Sequence, residues 1–157
     1  MDDKKFFEGL MALREDKGKM AGLRRIFNPD SSRIQGLKII SSIGVTDLNN
    51  DLSLPYKIVA FLFGSLKAES LGSGPNLGTT LQKGVRSHQE ADEKGNHPFD
   101  RRFDALVAST SIKILMHHIT KILTYLEGEL INFYLLLKDL KNWGPQTANM
   151  WIEGYYI

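Results

Sequence analysis

The chain has no cysteine and no long apolar run. Without cysteine, disulfides and thiolate metal sites are excluded, and the composition is typical of a reducing compartment. The longest apolar cluster, Ile58 to Phe63, is far shorter than the roughly 18 consecutive apolar residues of a membrane span. The first five residues, MDDKK, lack the apolar stretch of a signal peptide. We therefore expect a cytoplasmic protein with no membrane contact.

A strong excess of one charge is also missing. The sequence has 20 basic and 18 acidic residues, a formal net charge of +2. Any nucleic-acid function must therefore depend on where the basic residues lie, because bulk charge does not supply it. The hydrophobic fraction of 42% is enough for a core in 157 residues, which suits one domain or two small ones.

No stretch alternates in the period-2 manner of a half-buried strand, whereas helical periodicity recurs. The clearest helix is predicted from Ile112 to Glu127, with Ser109 or Ser111 as its cap and Gly128 at its end. Other helices are predicted at residues 3–16, around Arg24 and Arg25, and at 34–43, 56–67, 99–107, 133–140 and 145–156. We predict an all-α fold, with an N-terminal helical part (1–75) packed on a C-terminal part resembling a four-helix bundle (76–157).

Two loop motifs resemble ligand sites but lack essential positions. The segment 47–58 opens like a calcium loop, but Leu52 stands where glycine is needed and Ile58 where a bidentate glutamate is needed. The glycine-rich segment 72–78 has no strand before it and no P-loop lysine after it, so we interpret it as a linker.

Side chains that could catalyse or bind metal are not arranged to do so. His117 and His118 are adjacent, so on a helix they point about 100° apart and cannot share one metal. Asp100 and Asp104 share a helix face, but the neighbouring Arg101 and Arg102 favour helical ion pairs over acid–base catalysis. We expect no enzymatic activity, no metal and no cofactor.

Basic residues are concentrated near the N-terminus. Residues 14–38 hold seven bases and three acids, a local excess of four. The bases are Arg14, Lys17, Lys19, Arg24, Arg25, Arg33 and Lys38. A second group contains Arg101, Arg102, Lys113 and Lys121. Such clusters suit phosphate neutralisation, although a charge run is more often a solvated face.

Short motifs then occur in a familiar order. They are Leu23-Arg24-Arg25, Asn76-Leu77-Gly78 with Leu81, the run HPFDRRFDALVA at 97–108, the segment from Leu136 to Trp143, and the aromatic end from Trp151 to Tyr156. Each is unspecific alone. Together they span nearly the whole chain and resemble the small subunit of the type I-E CRISPR Cascade complex, the CasB family.

The resemblance implies an all-helical, non-catalytic subunit of a crRNA-guided complex. It implies contacts with the backbone subunits, the large subunit and a second copy of the chain, and it leaves crRNA contact open. It also implies that the protein stabilises the R-loop by holding the displaced non-target DNA strand. The alternative is a structural adaptor whose basic faces meet acidic protein surfaces.

The resemblance also indicates site residues. Arg24 and Arg25 match a basic position that the family uses on nucleic acid, Arg102 lies in the arginine–aromatic segment, and Lys121 matches a base on the following helix. Together with the charge clusters, this predicts nucleic-acid contacts by Lys17, Lys19, Arg24, Arg25, Arg101, Arg102 and Lys121. The chain departs from the pattern at Ala108 and at Pro145-Gln146, where some relatives carry bases.

Each assignment has a structural alternative. Arg24 or Arg25 could pair with Glu8 or Asp16, Arg102 could be a buried partner of Asp139, and Lys121 could be merely solvated. The aromatic residues Trp143, Trp151, Tyr155 and Tyr156 are better explained as core than as base-stacking platforms.

Overall fold

The computed structural model describes all 157 residues and contains only helices and loops, which confirms the all-α class. The helices are α1 (Asp3–Leu13), α2 (Lys17–Leu23), α3 (Arg33–Ser42), α4 (Leu54–Ser65), α5 (Leu77–His88), α6 (Asp100–Val107), α7 (Ile112–Ile119), α8 (Leu123–Leu126), α9 (Phe133–Lys141) and α10 (Pro145–Tyr156), with one 3₁₀ turn at Asp51–Ser53. None of them is long and apolar enough to cross a membrane.

The chain forms two compact units, Met1–Leu71 and Gly72–Ile157, here called the N-terminal unit and the C-terminal unit. The division at residue 75, and the packing of one part on the other, stay predictions. The glycine-rich segment belongs to the C-terminal unit, where the Asn132 side-chain amide donates a 2.8 Å hydrogen bond to the Gly74 carbonyl.

The N-terminal unit is organised around α4. All residues of this helix from Leu54 to Gly64 are buried except Lys57, as its apolar sequence predicts. Pro55 lies in its first turn, where the missing N–H has no partner to lose. Lys57 keeps its ammonium group bonded to the Leu48 carbonyl, and partial burial lowers the pKa of that amine.

Two glycines let α2 lie close to its neighbours. A Cβ added at Gly36 of α3 would be 2.5 Å from the Gly22 carbonyl oxygen of α2. One added at Gly64 of α4 would be 2.7 Å from the Leu23 Cβ and 2.8 Å from the Met20 oxygen. Because interiors are close-packed, α2 is fixed between α3 and α4 with no room for a larger residue at these crossings.

The C-terminal unit is built on α5, against which α10 and α8 pack. The helix begins at Asn76, whose side-chain oxygen accepts the Thr79 N–H. A Cβ at Gly78 would be 2.1 Å from the Trp151 oxygen, and one at Gly84 would be 1.6 Å from the Tyr125 oxygen. Both neighbouring backbones therefore approach α5 at positions that only glycine can occupy.

The prediction of a single helix from Ile112 to Glu127 is wrong, because the structure has two helices in this range. Ser111 caps α7 as predicted, but α7 ends at Ile119 and α8 begins at Leu123. Tight turns join them, with the Lys121 N–H bonded to the His118 oxygen and the Ile122 N–H to the Ile119 oxygen. Ile119, Ile122 and Leu126 are all buried. The apolar spacing therefore continues across the break, and the sequence pattern does not reveal it.

Candidate nucleic-acid interface

The N-terminal basic surface, defined as Lys17, Lys19, Arg24 and Arg25, is carried by α2 and the turn after it. The Asp16 carboxylate caps α2 by accepting the Lys19 N–H at 3.0 Å. Lys17 and Arg24 are seven residues apart, close to two helical turns, so they point the same way about 10 Å apart along the axis. The helix predicted around the two arginines lies just before them, because α2 ends at Leu23.

Intramolecular partners divide the bases of this region into two groups. The Arg14 guanidinium donates to the Glu69 carbonyl at 3.2 Å, and Arg33 donates to the Asp30 carbonyl at 2.8 Å. Both are held by their own chain. The four side chains of the N-terminal basic surface are exposed and make no intramolecular hydrogen bond or ion pair.

The considered ion pairs of Arg24 or Arg25 with Glu8 or Asp16 are not formed. The Glu8 carboxylate pairs with Lys4 at 4.0 Å, and Asp16 is the cap of α2. The two arginines therefore remain available for a partner outside the molecule.

Arg24 and Arg25 nevertheless differ in their surroundings. The pKa of Asp30 is lowered, chiefly by hydrogen bonds from the Ser32 side chain and backbone and less by the charges of Arg33 and Arg25. Arg25 thus has a carboxylate nearby, whereas Arg24 does not contribute to that shift. On this surface Arg24 carries the less compensated charge.

In the C-terminal unit, the carboxylates of α6 are bonded to tyrosines and not to arginines. The Tyr155 hydroxyl donates to Asp100 at 2.6 Å, and the Tyr156 hydroxyl donates to Asp104 at 2.5 Å. The predicted helical ion pairs of these carboxylates with Arg101 and Arg102 are therefore wrong. Burial and these hydrogen bonds raise the pKa of both tyrosine hydroxyls, which keeps them protonated as donors.

Arg101 and Arg102 face different environments. Arg101 lines a surface groove together with four carboxylates, those of Glu90, Asp92, Asp100 and Asp104. An acidic groove repels phosphate, so Arg101 is the weaker candidate for a nucleic-acid contact. Arg102 is exposed, does not line that groove and has no ion pair.

The alternative in which Arg102 is a buried partner of Asp139 is also wrong. Asp139 is only 4% exposed, and its carboxylate accepts the Trp151 indole N–H at 2.8 Å. Burial raises the pKa of this carboxyl, while the Trp151 hydrogen bond and the charge of Lys138 act in the opposite direction. The sequence held a signal for this bond, since Asp139 falls on the apolar face of α9 between Leu136 and Leu140.

The aromatic residues near the C-terminus are mostly core, as expected. Trp151 and Tyr155 are buried, and Tyr155 stacks on Phe103 with ring centroids 4.0 Å apart. Trp143 is half-buried and donates its indole N–H to the Ser109 carbonyl at 2.9 Å. Tyr156 is 46% exposed, so the core assignment is wrong for this ring.

Lys121 lies just beyond α7, one residue after its C-cap Thr120, with an exposed side chain that forms no ion pair. We call Lys121 and Arg102 together the C-terminal basic surface. The seven predicted contact residues thus fall on two units, four on the first and three on the second, and their role in binding stays a prediction. No group of three or more histidine or acidic side chains is placed to hold a metal ion.

The fold and these surfaces define a class: an all-helical protein with exposed, uncompensated basic side chains held on packed helices. Its family is shown by the sequence, because the family model of CRISPR-associated protein Cse2 matches residues 19–156. The chain therefore belongs to the Cse2 family, the non-catalytic small subunits of type I-E Cascade.

A solved structure has the same fold. A chain titled "CRISPR RNA-guided surveillance complex" superposes with a TM-score of 0.67 at 19% sequence identity, over 96% of this chain and 88% of that one. Comparison with curated protein sequences gives no match.

Proposed function

We propose that this protein is the small subunit of a crRNA-guided antiviral surveillance complex and that it stabilises the R-loop by holding the displaced non-target DNA strand. It binds that strand without sequence preference and catalyses no reaction. Its partners are the backbone subunits, the large subunit, a second copy of itself and the displaced strand, in the cytoplasm. Contact with crRNA is left open by the family resemblance.

The observation that carries this proposal is the N-terminal basic surface. Its four cations lie on α2 and the turn after it, and α2 is closely packed against two other helices. No carboxylate of the chain forms an ion pair with them. A displaced strand has variable sequence, so its binder must contact phosphates and not base edges. Cations that form no intramolecular ion pair meet that requirement, because they can still pair with phosphates.

The test is charge reversal within the assembled complex. The Arg24→Glu/Arg25→Glu variant should shorten the lifetime of the R-loop. It should also lower the slope of log affinity against log salt by about 0.7 for each single-strand phosphate contact that is lost. The matched control is Lys4→Glu/Lys5→Glu, which changes the net charge equally on exposed positions of α1. An R-loop lifetime and salt slope equal to those of the control would contradict the DNA role of the two arginines.

The alternative is a structural adaptor without DNA contact, and the acidic groove of the C-terminal unit favours some protein contact by this subunit. In that case the arginine variant would reduce the amount of small subunit retained in the purified complex. Subunit stoichiometry by native mass spectrometry distinguishes the two functions. The proposed function requires full occupancy together with a shortened R-loop lifetime.

A further inference from the structure

The segment containing α7 has no negative charge of its own. Residues 105–126 contain no aspartate and no glutamate, although acidic residues are frequent on both sides of this stretch. Within it lie two lysines and two histidines: Lys113, His117, His118 and Lys121. Among these, only Lys121 belongs to the predicted nucleic-acid contacts. The segment therefore has further basic side chains that the prediction leaves out.

The row formed by Lys113, His117 and Lys121 is held on the outside of the unit by packing. All three side chains are exposed. Leu115 and Ile119 are completely buried. At about 100° per residue, Lys113 and His117 lie on roughly the opposite side of α7 from Leu115 and Ile119. The buried anchors therefore fix the row toward solvent.

Nothing within the chain neutralises this row. None of its three side chains forms an ion pair or a hydrogen bond. The helix α6 packs against α7, and its carboxylates Asp100 and Asp104 accept hydrogen bonds from Tyr155 and Tyr156 and form no ion pair with the row. The backbone at the end of the row is fixed as well, because the Thr120 hydroxyl donates to the His117 carbonyl at 3.1 Å.

The spacing of the row suits a phosphate backbone. Lys113 and His117 are four residues apart within α7, which corresponds to a rise of about 6 Å along the axis. Lys121 lies in the turn just after α7, where its backbone N–H bonds to the His118 oxygen. Successive phosphates of an extended single strand are separated by a comparable distance. Lysine supplies three N–H donors with a full charge, and an imidazole supplies at least one N–H donor to a phosphate oxygen.

We propose that Lys113 and His117 extend the contact of Lys121 into a row of three phosphate contacts to single-stranded nucleic acid along α7. This inference rests on the proposed function and adds two residues to its C-terminal basic surface. In this arrangement the strand follows α7 and passes the turn after it, with one phosphate near each of the three side chains. Because residues 105–126 contain no carboxylate side chain, no acidic residue of this segment repels the phosphates.

The experiment compares Lys113→Ala/His117→Ala with Lys83→Ala/Lys94→Ala in the assembled complex, using a single-stranded oligonucleotide and an R-loop substrate. Lys83 and Lys94 are exposed bases of the same unit outside α7, and Lys94 lies among the acidic residues of the 90–93 loop. The row variant should shorten the R-loop lifetime and lower the salt slope by about 0.7 for the lost lysine contact, whereas the control leaves both unchanged. His117→Lys should retain or lengthen the lifetime.

The outcomes separate this inference from the function on which it rests. If Lys113→Ala/His117→Ala behaves like the control while Lys121→Ala shortens the R-loop lifetime, the row is wrong and the proposed function stands. If the variants at Lys121 and at Arg24 and Arg25 also leave the lifetime unchanged, the proposed function itself fails. Far-ultraviolet circular dichroism of each variant verifies that the exposed substitutions leave the helices intact.

Discussion

The hydrogen bond between Asp139 and Trp151 joins α9 to α10 inside the C-terminal unit. Burial raises the pKa of this carboxyl above its ordinary value of 3.8, so the folded protein favours the protonated form. The stabilising contribution of that proton is fully present below the unfolded pKa and is lost as the pH rises through the folded pKa. We therefore expect wild type to lose stability relative to Asp139→Asn as the pH increases from about 4.

This pH dependence is measured by urea unfolding followed through tryptophan fluorescence, since both tryptophans lie in the C-terminal unit. The difference in free energy of unfolding between Asp139→Asn and wild type should grow with pH and then level off. Asp139→Ala is the companion variant, in which the buried indole N–H loses its acceptor at a cost of about 1–3 kcal/mol. A difference between Asp139→Asn and wild type that stays constant from pH 4 to 7 would contradict the raised pKa.

Tyr155 and Tyr156 allow a test of how burial affects the strength of a tyrosine–carboxylate hydrogen bond. Tyr155→Phe keeps the stacked contact with Phe103 but removes the hydroxyl that donates to Asp100. Because a hydrogen bond to a charged group contributes more than a neutral one, we expect a loss of about 1.5–3 kcal/mol in the free energy of unfolding. Tyr156→Phe is the matched control. Its ring is 46% exposed, so water can replace the lost hydrogen bond and the loss should be smaller. Equal losses from the two variants would refute the role of burial.

At the residue scale, the sequence identified the exposed basic residues. It did not identify the side chains that donate hydrogen bonds to the carboxylates. Charge density along the chain indicated Arg24 and Arg25, since a local excess of bases needs no tertiary information. The tyrosine partners of Asp100 and Asp104 are more than fifty residues away in the sequence, so helical spacing alone favoured the adjacent arginines. For Asp139 the sequence suggested Arg102 as a buried partner, whereas its donor is Trp151. Tertiary packing brought tyrosine and indole donors to these carboxylates instead.

Among the helices, α2 matters most because α2 and the turn after it carry four of the predicted contacts. Gly36→Ala would place a Cβ 2.5 Å from the Gly22 carbonyl, which is backbone and cannot rotate away. We expect this overpacking to lower the free energy of unfolding by about 1–3 kcal/mol. It should also weaken single-strand binding, since α2 must shift to relieve the clash. Urea unfolding and oligonucleotide binding at low salt measure the two effects.

Gly18→Ala is the control for this prediction. Gly18 lies in α2 itself, but its added Cβ would be no nearer than 3.5 Å to another atom, the Asp16 carboxylate oxygen. Alanine is favoured over glycine within a helix by up to about 1 kcal/mol, so this variant should be neutral or more stable. If Gly36→Ala proves as stable as Gly18→Ala, the close crossing of α2 and α3 does not constrain the N-terminal basic surface.

The helices themselves were predictable from apolar spacing, and most of their limits follow from local chemistry. Asn76, Ser111 and Asn132 each accept a backbone N–H as caps, a preference visible in the sequence. The break between α7 and α8 was not predictable, because no glycine or proline marks it. After the break, the Tyr125 carbonyl of α8 lies against Gly84 of α5, a contact between residues 41 positions apart that local spacing does not reveal.

For the whole molecule, the low net charge and the exposed basic surfaces fit a subunit that acts inside an assembly. With a net charge of +2, the free chain has little long-range attraction for nucleic acid. In the proposed complex, other subunits would already position the strand, so a few local contacts would act at a high effective concentration. We therefore expect weak binding of single strands by the isolated protein and a much larger contribution to R-loop lifetime in the complex.

The whole-molecule prediction combines the two basic surfaces. If each contacts phosphates independently, the effects of Arg24→Ala/Arg25→Ala and Arg102→Ala/Lys121→Ala on the logarithm of R-loop lifetime should add, as for distant sites without shared partners. The salt slope should fall by about 2.8 in the quadruple variant, or about 0.7 for each of four lost contacts. Lifetime measured over a range of salt concentrations gives both quantities. A quadruple variant no weaker than one of the doubles would mean that only one surface meets the strand, and the other would then be assigned to protein partners in the complex.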